Sequence, residues 1–178
     1  RLKSGTNEWT RINLKAIPDF ENTTINRLLP IDGEFIPKEK QIIFDLHKLS
    51  DAHIQMGDMV ELILPDGTKK KLHFVGVVRD QSIGSLGEGG YFTAPLTGYI
   101  EFGTLPYLAQ PQYINQVYAT VDPPKADDLS HIQSITDLVV EKLEKNNHPV
   151  LNQFNRLQNQ HPNKIYLEAM SSILLGLG

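Results

Sequence analysis

Apolar and polar residues alternate along the first part of the chain. Between positions 9 and 17, Ile12, Leu14 and Ala16 stand at every second position, and polar residues separate them. A period of two is that of a strand with one buried face, because successive side chains point to opposite faces of a sheet. The pattern predicts a half-buried β-strand, which Pro18 ends.

Two longer apolar runs predict a β-hairpin. Met59–Leu64 and Leu72–Val78 are rich in Val, Ile and Leu, and the four residues Pro, Asp, Gly and Thr separate them at positions 65–68. Pro and Asp favour a tight turn, and Gly67 can adopt the positive φ that such turns often need. The lysine run Lys69–Lys71 is expected to belong to a solvated turn.

Shorter patterns predict further elements on both sides of the hairpin. Apolar runs at Gln41–Phe44 and Tyr99–Phe102 predict two strands, and the segment Asp45–Ala52 has room for one or two helical turns. Thr104 is the expected N-cap of a short helix that reaches Ala109.

The pattern changes after Pro111. Tyr113–Val121 is apolar enough to predict a strand. Asp127 and Asp128 then suit a helix N-terminus, where carboxylates meet the positive end of the helix dipole. Apolar residues follow at spacings of three and four, which predicts an amphipathic helix to about Asn146: Leu129, Ile132, Ile135, Val139 and Leu143. With a second strand at Val150–Phe154, this region would form a β-α-β unit.

Four glycines between Gln81 and Gly90 predict a mobile loop, and two aromatic residues follow it. The loop and the aromatic pair form a candidate contact loop, whose residues are Gly84, Leu86, Gly87, Gly90, Tyr91 and Phe92. The alternative is that the aromatic pair anchors the loop to the core.

The last segment predicts a helix that becomes apolar on all sides toward its end, as a helix does when it enters a membrane or a core. This candidate membrane-coupling helix carries Tyr166, Leu167, Met170, Ile173 and Leu174. The first residue is Arg1, and the last residues are an apolar run much shorter than a membrane span. We therefore expect the sequence to be part of a longer protein.

Composition narrows the classes of function. The 178 residues carry a net charge of −4, which gives no general attraction for nucleic acid, and there is no cysteine for disulfides or thiolate sites. The six histidines form no metal-binding motif, and the glycine-rich segment lacks the lysine of a phosphate-binding loop. These features predict a protein that is not an enzyme and holds no cofactor or metal.

Several segments resemble one family. The sequence GDMVELILPDG from Gly57 to Gly67, followed by LHFVGVVRD from Leu72 to Asp80, resembles ABC-transporter permeases of the MacB/FtsX-like type. In that family a similar hairpin and strand lie in the large extracytoplasmic domain. Weaker likenesses occur in the family's order and together cover about residues 9–178: Asp32–Pro37, Gln41–Asp45, Tyr99–Phe102, Tyr113–Asp122, His161, Pro162 and the final helix.

The resemblance implies a domain between the first two membrane helices of a permease, on the periplasmic or extracellular side of the bacterial cytoplasmic membrane. Its implied partners are a cognate ABC ATPase, a second permease subunit as a homo- or heterodimer, and a periplasmic adaptor or an exported substrate. Family substrates include lipoproteins, antibiotics, peptides and regulated cell-wall hydrolases. The family also has a strand–helix segment before the part present here, so the α/β lobe is expected to be incomplete.

The expected fold is α+β. It has a mainly β lobe at 9–110, a partial α/β lobe of the porter-like β-α-β kind at 111–160, and a juxtamembrane helix at 161–178. The alternative function is a stand-alone extracellular binding or adhesion module without an ATPase partner.

Overall fold

The computed structural model describes residues 1–83 and 93–157, together with Ser171. Its fold is mixed α+β, which confirms the fold class in its coarse form. The strands are β1 Leu2–Lys3, β2 Trp9–Thr10, β3 Ile12–Ile17, β4 Leu29–Gly33, β5 Gln41–Asp45, β6 Met59–Ile63, β7 Lys69–Arg79 and β8 Leu96–Glu101. The helices are α1 Leu49–Ala52 and α2 Leu129–Lys145, with 3-10 turns at Phe102–Thr104, Pro106–Leu108 and Pro123–Lys125.

The chain divides into two compact units. The first comprises Arg1–Gln81 and Pro95–Val117 and contains every strand named above, whereas the second comprises Ser82–Ala94 and Tyr118–Gly178 and contains α2.

The sheet of the first unit curls on itself. Its strand order is β2-β1-β6-β7-β5-β8-β3, and β4 pairs with β7 beside this path. Strands β2 and β3 stand at opposite ends of that order, yet only Arg11 separates them in sequence. Consecutive Cα atoms are about 3.8 Å apart, so Thr10 and Ile12 are at most roughly 8 Å apart. The two ends of the sheet must therefore come together, which gives a curled half-barrel.

Strand β7 is the centre of this sheet. It pairs in parallel with β5, and antiparallel with β6 through residues 69–73 and with β4 through residues 76–79. His73 pairs with both β5 and β6, and Gly76 pairs with both β5 and β4. Because a strand has only two edges, β6 and β4 share the edge opposite β5. A Cβ on Gly76 would lie 1.9 Å from the carbonyl oxygen of Glu34, so β4 can approach only a glycine here.

Apolar side chains cover both faces of the sheet. The larger cluster contains Leu2, Ile42, Phe44, Ala52, Val60, Leu62, Leu72, Phe74, Val77, Leu96, Ile100 and Leu108. At its centre Phe44 and Phe74 meet edge to face, with ring centroids 4.8 Å apart. The smaller cluster lies on the opposite face and contains Phe20, Leu28, Ile43, Val75, Val78 and Tyr99.

The predicted hairpin is confirmed. Strands β6 and β7 pair from Met59 opposite His73 to Ile63 opposite Lys69. The amide of Gly67 donates to the carbonyl of Leu64 over 3.0 Å, and Gly67 has a φ of 85°. The turn prediction for Lys69–Lys71 is wrong, because these lysines pair with β6 and form the start of β7.

The alternating strand is confirmed with one change. Ile12, Leu14 and Ala16 pack against the larger cluster, as their period predicts. The strand breaks at Arg11, so that β2 and β3 lie at different ends of the sheet. The predicted strands at Gln41–Phe44 and Tyr99–Phe102 correspond to β5 and β8.

The N-cap prediction for Thr104 is wrong. Thr104 ends one 3-10 turn, and another follows from Pro106 to Leu108. Its side chain is fully buried, and its hydroxyl accepts the amide N–H of Lys40 over 3.1 Å instead of capping a helix. Thr104 thus fastens the start of β5 to the chain after β8.

The helix of the second unit is confirmed, but its flanking strands are not. Asp128 caps α2 by accepting the amides of Ser130 and His131 at 2.9 and 3.1 Å. Neither Tyr113–Val121 nor Val150–Phe154 is a strand, because neither pairs with any strand in the described part of the chain. The predicted β-α-β unit is therefore wrong for these described residues, and only its helix is present.

Candidate functional site

Both sites predicted from the sequence fall outside the described residues. The candidate contact loop is Gly84, Leu86, Gly87, Gly90, Tyr91 and Phe92, and the candidate membrane-coupling helix is Tyr166, Leu167, Met170, Ile173 and Leu174. Both remain predictions. The structure does describe Asp80, which follows β7 before the contact loop, and Tyr99, which lies on β8 after it.

Two carboxylates meet at the point where the chain leaves β7 toward the contact loop. Asp45 ends β5 and Asp80 follows the last residue of β7, and these two strands are parallel, so both lie at the same end of the sheet. Asp45 is 2% exposed. Its Oδ1 accepts the amide N–H of His47 over 2.6 Å, and its Oδ2 accepts the amide N–H of Asp80 over 2.6 Å.

Asp80 continues this cluster to two more strands. Its Oδ2 accepts the hydroxyl of Tyr99 on β8 over 2.6 Å and lies 3.7 Å from Nζ of Lys15 on β3. Lys15 and Tyr99 are directly paired in the β3–β8 ladder, so the register of that ladder brings the ammonium and the hydroxyl to one carboxylate. The cluster of Asp45, Asp80, Tyr99 and Lys15, which we name the loop-base cluster, therefore joins four strands.

Burial dominates the electrostatics of Asp45. Loss of water around its carboxylate raises the pKa of Asp45 above its ordinary value, and the negative charge of Asp80 acts in the same direction. The amide donors of Asp80 and His47, and the nearby imidazole of His47, oppose that rise. Burial thus destabilises the charged form of the Asp45 carboxyl, and the two amide hydrogen bonds offset part of that destabilisation.

The loop-base cluster positions the main chain. Both oxygens of Asp45 are used by backbone amides, and burial keeps this carboxylate from solvent. Asp80 in turn is fixed by its backbone N–H and by its carboxylate. This arrangement is suited to holding the exit from β7 in one geometry.

The sequence patterns place Asp45 and Asp80 at the ends of two family-like segments, and Asp45 also at the start of a possible helical turn, and predict no site at either residue. The position of these two residues in the sequence was the signal that could have identified them. Each stands at the end of an apolar run and is expected to be buried with it, and a buried carboxylate needs hydrogen-bond partners. The partner Tyr99 lies 19 residues from Asp80, and only the strand register brings the two together.

The described residues offer neither a metal site nor a membrane-spanning helix. In residues 1–83 and 93–157, no group of three or more His, Asp or Glu side chains is placed to hold a metal ion. No helix in this described part is long and apolar enough to cross a membrane. Comparison with known proteins found no matching family model, no matching curated protein and no matching solved structure.

Proposed function

We propose that this chain is the extracytoplasmic domain of an ABC-transporter permease of the MacB/FtsX-like type, which couples cytosolic ATP hydrolysis to work outside the membrane. One observation carries the proposal. The segment that bears the strongest likeness, Gly57–Gly67 with Leu72–Asp80, forms the central hairpin of the sheet, and its second strand β7 pairs with three others. A segment with that central place fits a domain that must act as one stiff body.

Stiffness is what such coupling requires. A permease that transmits movement from membrane helices to a distant contact needs elements that do not absorb the movement by bending. Strand β7 has eleven residues, and at about 3.3 Å per residue it is roughly 36 Å long. Its far end is fixed through Asp80 to β5, β8 and β3, so a displacement at Lys69 is carried to the start of the contact loop.

In this proposal the curled sheet is the main part of a β lobe at 9–110. Helix α2 belongs to a second lobe at 111–160, and residues 161–178 lead into a membrane helix. The ATPase activity resides in a separate subunit or domain, and a second permease subunit completes the transporter. The substrate class stays open among lipoproteins, antibiotics, peptides and cell-wall hydrolases.

Cysteine labelling in membranes tests the proposal. The natural protein that carries this sequence has no cysteine in these 178 residues, so single cysteines can be placed at Lys164, Met170, Ile173 and Leu177. A water-soluble maleimide added outside the cell should label position 164 strongly and positions beyond 173 weakly. Ser130 on α2 is exposed and serves as the accessible control position.

The alternative function, a stand-alone binding or adhesion module, predicts the opposite labelling result. All four positions would then be labelled to the same extent as Ser130→Cys. Alkaline carbonate would also release the protein from the membrane. That combination would remove the permease proposal, whereas carbonate resistance with graded labelling would support it.

A further inference from the structure

Lysine and aromatic side chains gather at the end of the sheet opposite the loop-base cluster. Thr10, Leu2, Leu62 and Lys70 are paired in one row across β2, β1, β6 and β7, and this row defines the end. We name this end, with Trp9, Lys40, Lys69–Lys71 and Tyr107, the lysine end. Because β7 has eleven residues, about 33 Å of strand separates Lys69 from Arg79.

Two ammonium groups share one aromatic ring at the lysine end. Nζ of Lys40 lies 5.2 Å and Nζ of Lys70 lies 4.8 Å from the ring centroid of Tyr107. The hydroxyl of Tyr107 also donates to the carbonyl of Lys71 over 3.1 Å. The ring of Tyr107 thus attracts two ammonium groups to one side chain, and an anion beside them adds to that stabilisation of their charge.

A second aromatic ring contacts a single lysine ammonium group. Nζ of Lys69 lies 5.5 Å from the ring centroid of Trp9, which is half-buried. The ammonium groups therefore lie over the two rings and still have access to water, because the Lys69 and Lys40 side chains are 60% and 55% exposed.

Carboxylates balance only part of this charge. Glu61 lies 3.5 Å from Lys69 and Glu39 lies 3.6 Å from Lys40. Asp66 in the hairpin turn is the third acid, and Lys70 is close enough to contribute to lowering its pKa, after the hydrogen bonds from Thr68. Against these three acids stand Lys40, Lys69, Lys70 and Lys71, so lysines outnumber acids at the lysine end of a chain whose net charge is −4.

We propose that the lysine end binds the anionic headgroup layer of a lipid bilayer. Tryptophan and tyrosine, with lysine ammonium groups beside their rings, are side chains that suit a headgroup layer, where one part is apolar and the other wet. Lipid phosphate groups supply negative charge that complements the excess of lysines over acids at this end. The acidic remainder of the chain disfavours a nucleic acid, which would have to lie along more of the surface than one end of a sheet. This proposal does not depend on the permease assignment.

Vesicle co-sedimentation of the 178-residue chain tests it. The vesicles are phosphatidylcholine alone, or equal parts of phosphatidylcholine and phosphatidylglycerol. Binding is expected only to the anionic vesicles and should weaken as salt is added. Lys70→Gln with Lys71→Gln should weaken binding roughly thirtyfold, at about 1 kcal/mol for each lysine near an anionic surface. Lys70→Arg with Lys71→Arg should keep it, because both charges remain.

A matched control variant removes two positive charges from a different part of the chain. Lys142→Gln with Lys145→Gln changes two exposed lysines of α2 and should alter binding by no more than about twofold. Circular dichroism confirms that each variant is folded. Equal binding to neutral vesicles, no binding to either vesicle, or an equal loss in the control pair would overturn the proposal. So would full displacement by millimolar inorganic phosphate, which indicates a site for a single anion, or tighter binding to a DNA duplex than to vesicles.

Discussion

Tyr99 donates a 2.6 Å hydrogen bond to Oδ2 of Asp80, and both residues are buried. The first lies on β8 and the second follows β7, so one hydrogen bond connects the two sides of the predicted contact loop. Hydrogen bonds to a charged acceptor stabilise a fold more than neutral ones do, and a buried carboxylate that loses a donor pays for its lost hydration.

Replacing Tyr99 by Phe should lower the free energy of unfolding by about 1.5–3 kcal/mol, because the ring still fills its place while the donor is lost. Trp9 is the one tryptophan of the chain and lies in the first unit, so its fluorescence during urea unfolding measures this change. Tyr113, which is 62% exposed, is the control, and Tyr113→Phe should change the value by less than about 0.5 kcal/mol. If Tyr99→Phe and Tyr113→Phe lower the free energy of unfolding equally, the hydroxyl of Tyr99 stabilises the fold no more than an exposed tyrosine hydroxyl does.

The stability that Asp45 contributes should depend on pH with a definite sign. Its pKa is raised in the folded state above the ordinary value of 3.8, so the folded protein binds this proton more tightly than the unfolded chain does. Stability from this group is then fully present at low pH and is lost as pH rises from 3.8 through the folded pKa. The free energy of unfolding of the wild type, minus that of Asp45→Asn, should therefore fall across this interval.

Asp66 supplies a matched control of opposite sign. Hydrogen bonds from the amide and hydroxyl of Thr68 lower the pKa of Asp66. The difference between wild type and Asp66→Asn should therefore rise as pH rises toward 3.8. If the two differences slope in the same direction, burial is not what sets the pKa of Asp45.

The parts of the fold that follow from short stretches of sequence were predictable. The hairpin depends on two apolar runs and on Gly67 between them, and α2 depends on a spacing of three and four behind Asp128. Closure of the sheet was not predictable, because it requires parallel pairing of β3 with the distant β8. The alternation in residues 9–17 indicates which side chains are buried. It does not indicate that the chain passes at Arg11 from the first strand of the sheet order to the last.

Apolar composition alone gave a wrong strand prediction after Pro111. Tyr113, Ile114 and Val117 are 62–66% exposed, so their side chains are not buried on a sheet as the strand prediction required. A strand depends on a neighbour for its hydrogen bonds, and no sequence pattern within Tyr113–Val121 reports whether that neighbour is present. The loop-base cluster was missed for a related reason, since a carboxylate's partners are set by register.

Two glycines of the first unit should differ sharply in their tolerance of a side chain. Gly67 has a φ of 85° and open space where a Cβ would lie, so Gly67→Val should cost about 1–2 kcal/mol from backbone strain alone. Gly76→Ala should cost more than about 3 kcal/mol, because its Cβ would lie 1.9 Å from the carbonyl oxygen of Glu34 and would separate β4 from β7. Urea unfolding compares the two, and Gly67→Asn, which tolerates the same φ, should lose less than Gly67→Val. An unchanged stability in Gly76→Ala would contradict the close approach of β4.

The cap of α2 should account for a measurable part of the stability of that helix. Asp128 accepts the amides of Ser130 and His131, two of the N–H groups that have no partner within the helix itself. Asp128→Ala should therefore lower the local stability of the first turn by about 1 kcal/mol, whereas Asp128→Ser keeps an acceptor and should lose only a few tenths. Amide hydrogen exchange at these two residues is the measurement, and it should accelerate about fivefold in the alanine variant. Since β1–β8 belong to the other unit, the fluorescence of Trp9 in urea should not change. Equal acceleration in the serine and alanine variants would show that the charge of Asp128, and not its role as an acceptor, holds the helix start.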